Sequence, residues 1–162
     1  MTVYKSAEDF FEAVREAVTE VGRIRGKLSS MEQSEGVRAA PMTGSRGGSR
    51  DVNGMGRTDA RLDLEATSRR ILAEDEALIA KGEAVVVGLL GHGGVGELLS
   101  WDAANVLDLY YLHAETWAVV ANCAGRSESW CRAQRRAALD LCDAYGIDNV
   151  LAGRGIAGEG LA

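Results

Sequence analysis

Apolar residues recur at alternating spacings of four and three from position 10 to position 31 of the chain, over about three heptads. This spacing is typical of a coiled-coil seam and predicts one long helix, which begins near Ala7 and ends near Gly36. Ser6 and Asp9 resemble a capping box at its start. The seam consists of Phe10, Val14, Ala17, Val21, Ile24, Leu28 and Met31. A helix with one apolar seam needs a partner to cover it.

A second seam predicts another long helix, from Thr58 or Asp59 to about Leu89. Its members are Leu64, Ile71, Leu78, Val85 and Leu89, with Ser68, Asp75 and Gly82 at weaker positions. Residues 36–57 are rich in Gly, Ser and Arg, which predicts a flexible linker whose arginines could touch phosphates. We therefore expect residues 1–90 to form a long, antiparallel, coiled-coil-like helical hairpin; pairing with a second copy of the chain fits the pattern equally well.

The glycines of residues 91–99 allow two interpretations. Gly91, Gly93 and Gly96 fit the G-x-G-x-x-G pattern of dinucleotide-binding loops, so a nucleotide-dependent enzyme is one alternative. However, the preceding residues have a helical period, and the residues that remain are too few to complete a parallel sheet. We therefore interpret residues 91–99 as a glycine-rich connection between helices.

The C-terminal part of the chain predicts three short helices. The first runs from Ser100 to Leu112, with Trp101 on its buried side. Residues 116–139 then predict two helices joined by a glycine turn, with Thr116 and Ser127 as N-caps and Gly125 in the turn. This is the helix-turn-helix pattern, whose second helix, here residues 127–145, lies in the DNA major groove. We expect a small trihelical module over residues 100–146 and a flexible tail over residues 147–162.

Charge distribution supports a local contact with nucleic acid. The formal net charge of −6 argues against an indiscriminate nucleic-acid coat. Residues 91–115 carry four acids and no base, whereas residues 116–139 carry four arginines and a single acid, Glu128. A basic island inside an acidic chain is the electrostatic pattern expected of a DNA-contacting helix, although a solvated helix face gives the same pattern.

Other chemistry is not indicated by the sequence. The three cysteines form no C-x-x-C pair and, with His113, match no common zinc spacing, so we expect Cys123, Cys131 and Cys142 to be buried apolar side chains in a reducing cytosol. No grouping of serine, histidine and acid suggests a catalytic triad. No apolar run is long enough for a membrane span. The expectation is a cytoplasmic protein that is not an enzyme and holds no cofactor or metal.

Several of these segments resemble a known family. Residues 106–112, 115–121, 125–130 and 138–139 look like the helix-turn-helix of sigma-factor region 4. The whole layout resembles the small phage and prophage proteins known as ArpU- and RinA-like late transcription regulators, although Cys131 and Gln134 replace the larger aliphatic residues usual there. The resemblance implies a sequence-specific, DNA-binding transcriptional regulator, with double-stranded DNA and also RNA polymerase as partners.

The candidate DNA-binding residues lie around the start of the predicted recognition helix. Ser127 and Ser129 would hold a phosphate together with backbone amides, the arginines would contact phosphates or a guanine, and Glu128 would accept from cytosine or orient an arginine. The full set is Arg126, Ser127, Glu128, Ser129, Arg132, Arg135 and Arg136. We expect homo-oligomerisation through the N-terminal coiled helices. The alternative is a structural or protein-interaction helical protein, such as a phage assembly or packaging accessory, that does not bind DNA.

Overall fold

The computed structural model describes residues 3–38 and 53–154, and within these ranges the regular secondary structure is helical except for one isolated bridge between Leu89 and His92. The all-α prediction is therefore confirmed. No helix of the described part is both long and apolar enough to cross a membrane. The elements are α1 (Ala7–Arg38), α2 (Asn53–Val87), α3 (Gly94–Leu98), α4 (Trp101–Leu107), a π-helix (Asp108–Leu112), α5 (Trp117–Ala124), α6 (Glu128–Tyr145) and α7 (Ile147–Leu151).

Helices α1 and α2 pack against each other with opposite directions. The seam predicted for α1 faces inward, since all seven members are buried or half-buried. Near the start of α1, Val14 lies so close to Gly82 of α2 that a Cβ at position 82 would stand 3.0 Å from a Val14 methyl carbon. Farther along α1, Arg25 pairs with Glu76 at 2.6 Å. Glycine at position 82 thus permits the close approach of the two helices.

The ends of α1 and α2 differ from the sequence prediction. The predicted linker is shorter than expected, because residues 36–38 belong to α1 and residues 53–57 to α2. Residues 39–52 lie outside the described residues, and so does any contact that the linker arginines make. Each glycine costs a helix only about 1 kcal/mol, which is why glycine content alone misplaced these ends. Leu89, predicted as the last seam position of α2, lies beyond the helix and is half exposed.

The main core forms where the start of α1 meets the rest of the chain. Phe10 and Phe11 are fully buried, and the ring of Phe11 lies 5.2 Å from that of Tyr111 in the π-helix. Val85 and Val86 at the end of α2 and Cys142 of α6 belong to the same buried cluster, together with Val95, Leu107 and Val150 from the intervening and following elements. The first turns of α1 therefore share one core with α2, α3, α4, the π-helix, α6 and α7.

The glycine-rich connection packs closely against the end of the described chain. A Cβ at Gly93 would overlap the carbonyl oxygen of Leu151, and the backbone of Gly153 is also adjacent. Residues 147–151, predicted as part of a flexible tail, instead form α7, and Val150 is fully buried. This contact between residues far apart in sequence explains why the tail prediction was wrong at its start, and it gives the glycines a packing role.

The third predicted helix changes its winding midway. Ser100 caps it as expected by accepting a hydrogen bond from the Ala103 amide, at 3.1 Å. After Leu107 the backbone continues as the π-helix, whose extra residue per turn brings Tyr111 and Leu112 to the core side by side. Trp101, predicted to be buried, is 59% exposed and lies against Gly96 of α3.

Two glycine substitutions test the close packing of the connection. Both Gly91 and Gly93 have positive φ, but a Cβ at Gly91 meets nothing within 4 Å, whereas one at Gly93 overlaps the Leu151 carbonyl. We expect Gly91→Ala to lower the free energy of unfolding by about 1 kcal/mol through backbone strain alone, and Gly93→Ala by roughly 3 kcal/mol. Urea unfolding followed by circular dichroism measures both; equal losses would refute the packing role of Gly93.

Candidate nucleic-acid interface

Helices α5 and α6 are joined by a three-residue turn whose caps match the sequence prediction. The hydroxyl of Thr116 accepts a hydrogen bond from the Val119 amide at 3.4 Å, and the hydroxyl of Ser127 accepts one from the Trp130 amide at 3.2 Å. Gly125 is left-handed, with φ 62° and ψ 32°, and ends α5. These three positions set the angle at which the chain enters α6.

A small second core supports this pair of helices. Val106 of α4, Val120 of α5 and Cys131 of α6 are buried together. Trp117, at the start of α5, is half-buried and stacks on the ring of Tyr110, with centroids 4.2 Å apart and planes at 19°. The first turn of α5 is therefore fixed to the π-helix by an aromatic contact.

Two of the candidate arginines lie over tryptophan rings. Arg126, in the turn, is exposed, and its guanidinium carbon is 5.2 Å from the ring centroid of Trp130. Arg132 is also exposed, lies 5.1 Å from the centroid of Trp117 and pairs with Glu128 at 3.3 Å. Both distances are within the range of cation–π attraction, so each guanidinium has a preferred position on the surface.

The exposed charge of α6 changes sign along the helix. Arg136 is exposed, and within the described part of the chain it takes part in no hydrogen bond or ion pair. The same is true of the exposed side chain of Ser129. The next exposed charges are Asp140 and Asp143, and the carboxylate of Asp143 accepts a hydrogen bond from the Ala7 amide at 2.6 Å. Only the N-terminal half of α6 therefore presents cations to solvent.

Arg135 does not share the exposed surface of the other arginines. Its Nε donates to the hydroxyl of Tyr111 at 2.7 Å, and its Nη2 pairs with the carboxylate of Glu8. Glu12 adds a second carboxylate at 3.8 Å, and the Arg135 side chain is only 21% exposed. The sequence interpretation placed Arg135 beside Arg132 and Arg136, but in the structure it connects α6 to α1 and to the π-helix.

A further arginine that sequence analysis did not select has a similar role. Arg15 of α1 donates to the carbonyl oxygens of Tyr110, Ala114 and Glu115, the last at 3.1 Å. Its guanidinium carbon also lies 4.1 Å from the Tyr110 ring centroid. The only sequence signal is its place next to the α1 seam, at Val14. Arg15 satisfies carbonyl groups at the end of the π-helix, which no helical partner reaches.

The cysteines divide into two kinds. Cys131 and Cys142 are buried as predicted, and burial raises the pKa of the Cys142 thiol to about 12, which makes it unreactive. Cys123, expected to be buried, is exposed on α5. In residues 3–38 and 53–154, no three side chains of the His, Cys, Asp or Glu type are arranged to hold a metal ion.

Comparisons with protein-family models, with curated proteins and with solved structures find no match for this chain. The resemblance described for segments of residues 106–139 therefore has only the residues quoted for it as support.

The buried hydroxyl of Tyr111 predicts a loss of stability in alkali. Burial raises the pKa of Tyr111 to about 12, above its ordinary value of 10.0. The folded state holds this proton more tightly than the unfolded state does. The contribution of Tyr111 to the free energy of unfolding is therefore complete below pH 10 and is lost as the pH rises through 12, by at most about 1.4 kcal/mol per pH unit.

Urea unfolding between pH 8 and pH 11, on the wild type and on Tyr111→Phe, isolates this contribution. The variant also removes the partner of Arg135 Nε, so we expect it to be about 1–2 kcal/mol less stable at pH 8. The difference in free energy of unfolding between the two proteins should narrow above pH 10. A constant difference from pH 8 to pH 11 would contradict the raised pKa of Tyr111.

Proposed function

We propose that the protein is a non-enzymatic, sequence-specific DNA-binding regulator of transcription, of phage or prophage type, that places the N-terminal half of α6 in the major groove. Helices α4 to α6 would act as a sigma region 4-like helix-turn-helix, and α1 with α2 as a helical hairpin that carries it. The observation that supports this most is the group of three exposed arginines: Arg126 in the turn before α6, and Arg132 and Arg136 in the N-terminal half of α6, which Ser127 caps.

Electrostatics favour this end of the molecule over others. The exposed acids Asp140 and Asp143 lie in the second half of α6, so a phosphate backbone approaching α6 gains most at its N-terminal half. The same half has the positive end of the helix dipole, which attracts phosphate groups. The hydroxyl of Ser127 accepts its capping hydrogen bond but keeps its own proton, which can be donated to a phosphate oxygen.

The contact surface differs in one member from the set inferred from sequence. Arg135 acts as a structural residue, since its donors are directed to Tyr111 and Glu8. Arg126, Arg132 and Arg136 supply the cationic contacts, and Ser127 and Ser129 supply hydroxyl donors. Glu128 faces Arg132 and acts through it.

The helical hairpin is the proposed oligomerisation element. Leu62 and Leu64 on α2 are 57% and 44% exposed, and a second copy of the chain could cover them. A dimer would bind two half-sites and thereby raise a weak affinity of a single helix-turn-helix. RNA polymerase, in a cytoplasmic setting, is a further proposed partner.

A protein-interaction role without DNA binding is the second candidate. It is favoured by apolar side chains on either side of the glycine-rich connection: Leu90, just after α2, is fully exposed, and Trp101, the first residue of α4, is 59% exposed. A chain of this second kind would self-associate or capture a protein partner and would show no salt-dependent affinity for DNA.

Fluorescence anisotropy with a labelled duplex of about 30 base pairs tests the first proposal, through the double variant Arg126→Ala/Arg136→Ala. Both side chains are exposed, so the fold should be unaffected. We expect roughly tenfold weaker binding at about 0.1 M salt, and a slope of log affinity against log salt that is smaller by about 2, because two phosphate contacts are lost.

The matched control is Arg69→Ala/Arg70→Ala, which removes the same charge from two exposed positions on α2. The control should bind DNA like the wild type with an unchanged salt slope. If both double variants weaken binding equally, the attraction is a nonspecific effect of net charge. If the wild type does not bind DNA at low salt, the protein-interaction role is favoured instead.

A further inference from the structure

We infer that the two exposed arginines of α6 have different tasks: Arg132 reads a guanine base, Arg136 contacts a phosphate, and Glu128 with Trp117 are positioning residues that orient Arg132. This inference rests on the proposed DNA-binding function and specifies how that surface would distinguish sequences. It depends on a difference between the surroundings of the two arginines.

Arg132 is held from two sides. Its Nη2 pairs with the Glu128 carboxylate at 3.3 Å, and its guanidinium carbon lies 5.1 Å from the centroid of the Trp117 ring. The Trp117 ring is itself fixed, because it stacks on the ring of Tyr110. The guanidinium of Arg15, on α1, in turn lies over the Tyr110 ring. The position of Arg132 is therefore determined by a series of contacts that leads back to the first helix.

Arg136, one helical turn farther along, has no such contacts. It is exposed and forms no ion pair, hydrogen bond or ring contact within the described part of the chain. A guanine is recognised by two parallel hydrogen bonds, from a planar guanidinium to the N7 and O6 acceptors, and a fixed orientation favours them. A phosphate contact needs charge and reach but little orientation, which suits the free side chain of Arg136.

The Glu128 carboxylate strengthens this division. It offsets the positive charge of Arg132 at 3.3 Å, so this pair adds little to the general attraction for phosphates. Arg132 therefore gains affinity mainly where base acceptors replace or supplement the carboxylate, whereas Arg136 contributes its charge to any DNA sequence. Glu128 in this way lowers binding to unselected DNA while it orients the base-reading arginine.

The experiment begins with selection of preferred duplexes by the full-length protein from a randomised pool. Each guanine of the selected site is then replaced in turn by 7-deazaguanine, which lacks the N7 acceptor. For one guanine we expect the replacement to weaken wild-type binding roughly tenfold to a hundredfold. Arg132→Ala should weaken binding to the selected duplex by a similar factor and should show no further loss with the modified guanine.

The variants Arg132→Lys and Arg136→Lys test the difference in geometry. Lysine cannot reproduce a bidentate contact but can replace a phosphate contact, so Arg132→Lys should bind like Arg132→Ala, whereas Arg136→Lys should restore most of the affinity that Arg136→Ala loses. Arg136→Ala should weaken all duplexes alike and reduce the salt slope by about 1. Arg70→Ala is the matched control for loss of an exposed arginine.

Glu128→Gln tests the positioning role of Glu128. Its readout is the preference for the guanine, which a purely structural role of Glu128 would not change. We expect tighter binding to unselected DNA together with a smaller penalty for the modified guanine; the melting temperature should fall only slightly, because Glu128 lies in the first turn of α6. If Arg132→Ala keeps the wild-type sequence preference, or if Arg136→Ala abolishes it, the inference is overturned while the DNA-binding proposal stands. If the wild type binds no duplex, both are overturned.

Discussion

The position of α6 depends on the contact between the first turns of α1 and the π-helix. The ring of Phe11 packs against that of Tyr111, and the Tyr111 hydroxyl accepts a hydrogen bond from Arg135 of α6. Glu8 of α1 holds the other side of the same guanidinium. The helix proposed to read DNA is thus attached to the long helical pair through the buried rings of Phe11 and Tyr111, the half-buried Arg135 and the exposed carboxylate of Glu8, and its orientation follows from theirs.

This attachment separates the arginines of the C-terminal region by task. Arg15 and Arg135 point into the protein, where they satisfy carbonyl oxygens, a phenol and carboxylates. Arg126, Arg132 and Arg136 remain at the surface. A basic segment of sequence therefore contains both structural and solvent-facing cations, and only the second group is available to a ligand. The proposed interface therefore contains fewer arginines than the basic segment of the sequence. Two of these arginines, Arg126 and Arg132, have preferred positions because they lie over tryptophan rings.

Local patterns predicted local structure well. The seam of α1 and the caps at Thr116 and Ser127 depend on residues within a few positions of each other, and all appear where expected. Contacts between distant residues were not predictable: Arg135 meets Glu8 across 127 positions, and Gly93 packs on Leu151. The π-helix was also missed, because a helical period of apolar residues does not distinguish it from an α-helix.

The most direct test of the account is a titration of the isotopically labelled protein with duplex DNA, followed by amide chemical shifts. The account predicts that shifts concentrate in residues 116–136, with the largest changes from Arg126 to Ala133. It also predicts that the Arg135 side chain keeps its hydrogen bond to Tyr111 in the complex. Shifts confined to the exposed apolar residues around Leu90 and Trp101, or an absence of shifts at low salt, would contradict it.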